Sequence, residues 1–210
     1  MKRASTPRRV QPAELPFYVS SADAPAKRQI LMAALELFAR DGLCETSVRD
    51  IAKVAGCTNP ALFKHFSSKD ELADYLFERC YLELSRIVDR GMRSSKSFRV
   101  RQRAIVEAYI DALTQDPNAV LYVQDGLRRF WPRMPAATRE HSIVGRVRTL
   151  LSDGRDEGMV TREVDLELLT VVWMGSVQQF ARAHYFGDIK GPTDKLAVDL
   201  EGLLSRVVRT

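Results

Sequence analysis

The chain has 210 residues, 45% of them hydrophobic and 28% charged, the balance of an ordinary globular protein. Its apolar runs fall far short of the roughly 18 residues needed to cross a membrane. The basic N-terminus also lacks the apolar core of a secretory signal. The net charge of +5 is unevenly placed: residues 1–69 carry 11 Lys/Arg against 6 Asp/Glu, and residues 70–210 carry 21 of each. A polyanionic partner for the N-terminal end is the inference from that asymmetry. A surplus that merely keeps the surface soluble is the plainer alternative.

Residues 1–24 mix Arg, Pro and Ser around one apolar cluster, Phe17-Tyr18-Val19, and read as a flexible basic arm. Lys2, Arg3, Arg8 and Arg9 suit phosphates or a minor groove. A first helix is expected over about 26–40, where Ile30, Leu31, Ala34, Leu35 and Phe38 form one apolar stripe. Asp41-Gly42 ends it. Ser47-x-x-Asp50 resembles a capping box opening a second helix, and Gly56 permits a sharp turn after it. Thr58 is a good N-cap for a third helix, with Pro60 tolerated in its first turn. Helix, tight turn and second helix over about 47–66 make a helix-turn-helix, whose second helix enters the DNA major groove.

Ser68-Lys69-Asp70-Glu71 opens a fourth helix that is expected to run to about residue 90 and connect two parts of the protein. Ser94-Ser95-Lys96-Ser97 reads as a linker. Five further helices are expected at about 98–115, 119–131, 136–157, 163–186 and 192–208, with Asp116-Pro117-Asn118, Trp131-Pro132, Gly158 and Gly187-Asp188 between them. Strand signals are absent. The expected architecture is all-α, about nine helices, with a small N-terminal domain and a larger C-terminal one.

Three spaced cysteines (Cys44, Cys57, Cys80) and three isolated histidines (His65, His141, His184) argue against a disulfide framework, a zinc site or any other metal, and suggest the cytoplasm. No phosphate loop, dinucleotide fingerprint, nucleophile elbow or metalloprotease motif occurs. No cofactor and no enzyme activity are expected, although residues remote in sequence can still converge on a site.

Arg28, Ile30-Leu31, Ala33-Ala34, Leu37-Phe38 and Gly42, then Thr46-x-Val48-Arg49-Asp50-Ile51-Ala52-x-x-Ala55-Gly56, then Leu62-Phe63-x-His65-Phe66-x-x-Lys69-x-Glu71-Leu72 agree together with one known pattern. The chain resembles a TetR/AcrR-family transcriptional regulator. The resemblance is strongest over residues 28–71. It implies a helical homodimer, each subunit offering a helix-turn-helix to half of a palindromic double-stranded operator. It also implies a small-molecule effector in the C-terminal domain that releases the DNA, and most often repression. The domains are then a basic arm (1–24), the DNA-binding domain (25–71), a connecting helix (72–91), and a ligand-binding and dimerisation domain (92–210). The alternative is a DNA-bound architectural or partner-binding protein without a direct role in transcription.

On this resemblance Thr58, Asn59, Pro60 and Ala61 open the reading helix. Asn59 suits adenine or a phosphate, and Ala61 a thymine methyl. Lys64 reaches a base or a phosphate. Thr46, Ser47 and Arg49 open the second helix, whose free N–H groups suit a phosphate. His65 and Lys69 occupy positions where the family holds the DNA backbone, with capping or packing the alternative for His65. Phe63 departs from the family pattern, which usually has Tyr there. It keeps the ring and loses a phosphate donor worth about 0.5–1.5 kcal/mol. Leu62 and Phe66 read as core. Cys57 reads as a packed thiol, with a redox switch the alternative.

Tyr109, Tyr122, Phe130, Trp131, Trp173 and Phe180 are the candidate ligand pocket, plain core being the alternative for each. Arg128, Arg129 and Arg133 could meet an anionic ligand or form a solvated face. The segment from Leu166 to Gly175 is apolar nearly all round and needs cover on more than one side. With Leu196, Leu200, Leu203, Leu204 and Val207 it suggests a four-helix dimer seam that uses Leu169, Trp173, Gly175, Leu200, Leu203 and Leu204.

Overall fold

The structure is a computed structural model that describes residues 15–140 and 142–209. Among them are ten α-helices, one 3-10 turn and no strand. Lys2, Arg3, Arg8, Arg9 and His141 lie outside the described residues.

The head comprises α1 (Pro25–Asp41), α2 (Val48–Val54) and α3 (Asn59–Phe63). Its core is the inward stripe of α1, from Ile30 to Phe38, closed by Ile51, Ala52, Leu62 and Phe66. The second half of the stretch read as an arm is folded. Tyr18 and Val19 are buried, and Arg79 Nε donates to Tyr18 O at 3.3 Å. Asp23 pairs with Lys27 (3.3 Å) and Arg79 (3.6 Å). Lys27 also donates to the Tyr75 hydroxyl at 2.8 Å.

Helix α4 (Lys69–Arg93) is 25 residues long, about 37 Å at the usual rise. Its Leu72, Leu76, Phe77 and Leu84 belong to the head's core, while Val88 belongs to a second core built on α5 (Phe98–Gln115), α8 (Ile143–Asp156), α9 (Leu166–Tyr185) and α10 (Thr193–Val208). Helix α6 (Pro117–Phe130) starts on an Asp116 cap, where Oδ1 accepts the Ala119 N–H at 3.0 Å. Phe38 of α1 stacks on Tyr122 of α6 at 6.0 Å between centroids. The head's core therefore continues without a gap into α6.

The segment expected as one helix over 136–157 is two, α7 (Ala136–Glu140) and α8. Ser142 caps α8 by accepting the Gly145 N–H at 3.3 Å, and the Tyr81 hydroxyl accepts the Ile143 N–H at 3.0 Å. The third helix ends at Phe63 rather than Phe66. No helix among the described residues is long and apolar enough to cross a membrane.

Helices α4 and α5 meet at Gly91, which is buried. A Cβ there would lie 3.1 Å from the Ile105 nitrogen and 3.2 Å from its Cα. Backbone cannot swing aside as a side-chain tip can. Ala gains about 1 kcal/mol over Gly in a helix, but overpacking of a close contact costs about 1–3 kcal/mol. Gly91→Ala is expected to lower stability by about 1 kcal/mol net, read by urea unfolding at constant slope. A rise in stability would show that the two helices separate freely.

Candidate nucleic-acid interface and effector cavity

The reading helix is held by caps at both ends of the turn before it. Ser47 and Asp50 form a reciprocal capping box: the Asp50 N–H donates to Ser47 Oγ at 3.2 Å, and the Ser47 N–H to Asp50 Oδ2 at 3.1 Å. The Ser47 hydroxyl and N–H together hold the Asp50 carboxyl below the usual carboxylate range. Gly56, at φ 66°, makes the left-handed corner that an L side chain resists. Thr58 Oγ1 then accepts the Ala61 N–H at 3.3 Å. Leu62 and Phe66 are buried, so the opposite face of α3 points outward.

That outward face carries most of the expected DNA residues. Thr58, Asn59, Pro60, Phe63 and Lys64 are exposed, and Ala61 and His65 are half-buried. Arg49 on α2 is exposed, as is Ser47. The side chains of Arg49, Asn59, Lys64 and His65 have no hydrogen-bond partner among the described residues. Phe63 leaves 48% of its surface bare, an apolar ring on an otherwise polar face.

Two of the expected contacts are engaged inside the protein instead. Thr46 is 2% exposed, and its hydroxyl donates to Gly42 O at 2.8 Å. Its N–H also donates to Gly42 O. Lys69 Nζ lies 2.7 Å from Leu43 O, 2.8 Å from Thr46 O and 3.4 Å from Cys44 O. An ammonium has three donors, and these carbonyls take all of them. Lys69 thus ties the start of α4 to the loop that delivers α2. Cys80 is fully buried, and burial pushes its thiol well up. Cys57 is half-buried and packed against the head's core.

A second candidate site lies where the two cores meet. A cavity of about 90 Å³ is enclosed by α4, α5, α6, α8 and α9. Leu84, Ile105, Val123, Val147 and Val177 are among its apolar walls, with Tyr81, Tyr109, Gln124 and Gln178 its polar ones. Of the expected pocket residues, Tyr109 and Trp173 line it. Trp131 packs on Tyr81 at 5.0 Å and borders an adjoining groove. Tyr122, Phe130 and Phe180 do not line it. Tyr122 donates to Ala73 O at 3.1 Å, and Phe130 stacks on Phe77 at 4.8 Å, both within the head-side core. Phe180 packs between the two cores. Arg129 and Arg133 pair with Asp70 (2.8 Å) and Asp74 (2.5 Å) of α4, which leaves Arg128 as the unpaired member of that run among the described residues.

The α9–α10 face differs from expectation by one helical position. Leu169, Trp173, Leu200 and Leu204 are buried in the chain's own core. Trp173 Nε1 donates to Gln102 Oε1 at 3.3 Å. Gly175 and Leu203 do lie outside, beside Leu168, Val171, Val172 and Val207. Val171 is 66% exposed.

This is the arrangement of a helix-turn-helix head on a helical body that holds a cavity. Residues 30–76 match the family described as "Bacterial regulatory proteins, tetR family". An 88-residue stretch is 38% identical to the HTH-type transcriptional activator FasR of Mycolicibacterium smegmatis, over 42% of this chain and only 40% of that protein. Over 150 residues the chain is 26% identical to the HTH-type transcriptional repressor KstR2 of Rhodococcus jostii, covering 68% of this chain and 71% of that one. The fold is that of the ketosteroid transcriptional regulator KstR2 of Mycobacterium tuberculosis, with a TM-score of 0.77 at 21% identity, over 94% of this chain and all of the other. Residues 30–76 therefore carry the DNA-binding domain of the TetR family of bacterial transcriptional regulators, and the chain is a DNA-binding regulator.

Lys69→Met is expected to lower stability by about 1–2 kcal/mol through the carbonyls it abandons. Loss of one phosphate contact would flatten the salt dependence of DNA affinity by about one unit of slope. If Lys69 acts by positioning, the variant binds DNA more weakly with the slope unchanged. A flattened slope with unaltered stability would make Lys69 a phosphate contact after all.

Proposed function

We propose that the protein is a homodimeric repressor whose two reading heads grip a palindromic operator and let go when a small molecule fills the cavity. The observation that carries the reading is the double duty of α6. Val120, Val123, Gln124 and Leu127 face the cavity, while Tyr122 stacks on Phe38 of the head and bonds to Ala73 O. A ligand that pushes α6 outward acts directly on a ring packed against α1. Repression is favoured because the similarity to KstR2 spans both parts of the chain, whereas that to the activator FasR covers a much shorter stretch.

On DNA, Thr58, Asn59, Pro60, Ala61 and Lys64 address base edges and adjacent phosphates, with Phe63 resting on sugar or a thymine methyl. Arg49, the Ser47 end of α2 and His65 meet the backbone. Thr46 and Lys69 position the loop between α1 and α2. In the dimer, the exposed stripe of α9 and α10 covers its own copy about a two-fold axis.

A titration on the chain's own upstream DNA, at several salt concentrations and against unrelated DNA, tests this. A preference of about a thousandfold or more is expected, with affinity falling as salt rises. Asn59→Ala is expected to cost about 1–3 kcal/mol at one base position, and Lys64→Ala to flatten the salt slope. Equal weak binding to both DNAs in every variant would remove the operator claim.

The dimer is tested separately. Val171→Glu places a carboxylate on the exposed stripe without touching the protomer core. Sedimentation should show the wild type as a dimer and the variant shifted to monomer, with DNA affinity lost alongside. A variant that stays dimeric would place the seam elsewhere.

A further inference from the structure

Gln124 is the polar group that the cavity leaves unfinished. Its Nε2 donates to the Tyr109 hydroxyl at 2.8 Å, and burial raises the titration of that hydroxyl, so it stays neutral. Its Oε1 is buried and has no partner. Both residues line the cavity, and no charged residue among the described ones does. A buried acceptor without a donor costs free energy that a ligand can return. A carboxylate or ammonium in that neutral interior would meet no counter-charge and would pay the full desolvation cost. Any charge on the ligand therefore stays outside.

The outside is also defined. A groove lined by Tyr81, Leu127, Arg128, Trp131, Ser142 and Val144 adjoins the cavity and shares Tyr81, Leu127 and Val144 with it. Arg128 is exposed. It follows Gln124 by four residues on α6, so the two side chains lie on one face, about 6 Å apart. From the groove inward, the order is a cation, a hydrogen-bond acceptor one turn deeper, and then an aliphatic chamber.

We propose that the effector is a small apolar acid carrying a hydroxyl within a few bonds of its anionic head, with Gln124 as the residue that selects the hydroxyl. The head sits at Arg128. The hydroxyl donates to Gln124 Oε1, and the alkyl tail fills the space between Val123, Val147 and Val177. Tyr109 is a positioning residue that holds the amide so that its oxygen faces the ligand. This inference rests on the cavity being the effector site.

The test uses the full-length protein with octanoate, 3-hydroxyoctanoate and 8-hydroxyoctanoate as probes, read by calorimetry and by Trp173 fluorescence. 3-Hydroxyoctanoate is expected to bind about three- to tenfold tighter than octanoate, the worth of one hydrogen bond. 8-Hydroxyoctanoate should bind more weakly than either, because its hydroxyl enters the aliphatic end. In Gln124→Leu the preference for the 3-hydroxyl should vanish while octanoate still binds. Gln124→Leu also strands the buried Tyr109 hydroxyl, so the stability readout uses Gln124→Leu with Tyr109→Phe, which should melt no lower than Tyr109→Phe alone because the unsatisfied acceptor is gone. Arg128→Ala should weaken all three acids together. Equal affinity for octanoate and its 3-hydroxy form, or a preference that survives Gln124→Leu, overturns the proposal. If octanoate binds and Val177→Phe blocks it, with no hydroxyl preference, the proposal fails and the cavity reading stands. If none of the three acids binds the wild type at millimolar concentration, both fall.

Discussion

The apolar face of α4 is shared by two cores, and the other elements are arranged by that sharing. Leu72, Leu76 and Phe77 complete the head, and Val88 starts the second core. A helix of about seven turns is stiff over that length. Each neighbour is then pinned to it by its own set of contacts. Lys69 draws the α1–α2 loop onto its first turn. Arg79 holds the segment before α1. Arg129 and Arg133 lay α6 along its acidic edge. Arg146 pairs with Asp89 to bring in α8, and Gly91 lets α5 close to backbone distance.

Local signals in the sequence predict local structure well here. The caps at Ser47, Thr58 and Ser68 act over three residues, so a short window contains both partners. Leu62 and Phe66 read as inward-facing because their spacing follows a helical face. The separation of α7 from α8 was not legible, since no Gly or Pro stands between them. It depends on Ser142 and on Tyr81, a residue 62 positions from Ile143. The internal bonds of Thr46 and Lys69 were not legible for a related reason. Their polar atoms meet carbonyls that no side-chain pattern reports, and exposure cannot be inferred from residue type alone.

Helix α9 shows a different limit. Periodicity identifies a buried face by contrast with a polar one. From Leu166 to Gly175 the contrast is nearly absent, so the pattern indicates cover on two sides but not which residues serve which side. The structure assigns Leu169 and Trp173 inward and Leu168, Val171 and Val172 outward. The pocket residues divided similarly. Aromatic content located the region, but aliphatic side chains and two amides, Gln124 and Gln178, supply most of the cavity lining. Valines and leucines carry no signal that separates a wall from a core.

The two-sided packing of α6 has a consequence for dose. A free-energy coupling between two sites has the same size in either direction. On the proposed reading, if swelling the cavity loosens the Phe38–Tyr122 stack, then a head clamped on DNA resists swelling by an equal amount. Operator-bound protein is in that case the poorer sensor, and the free pool the better one. A cell holding many copies of the regulator per operator would lose effector to the free pool first, so the response threshold would follow regulator abundance as well as affinity.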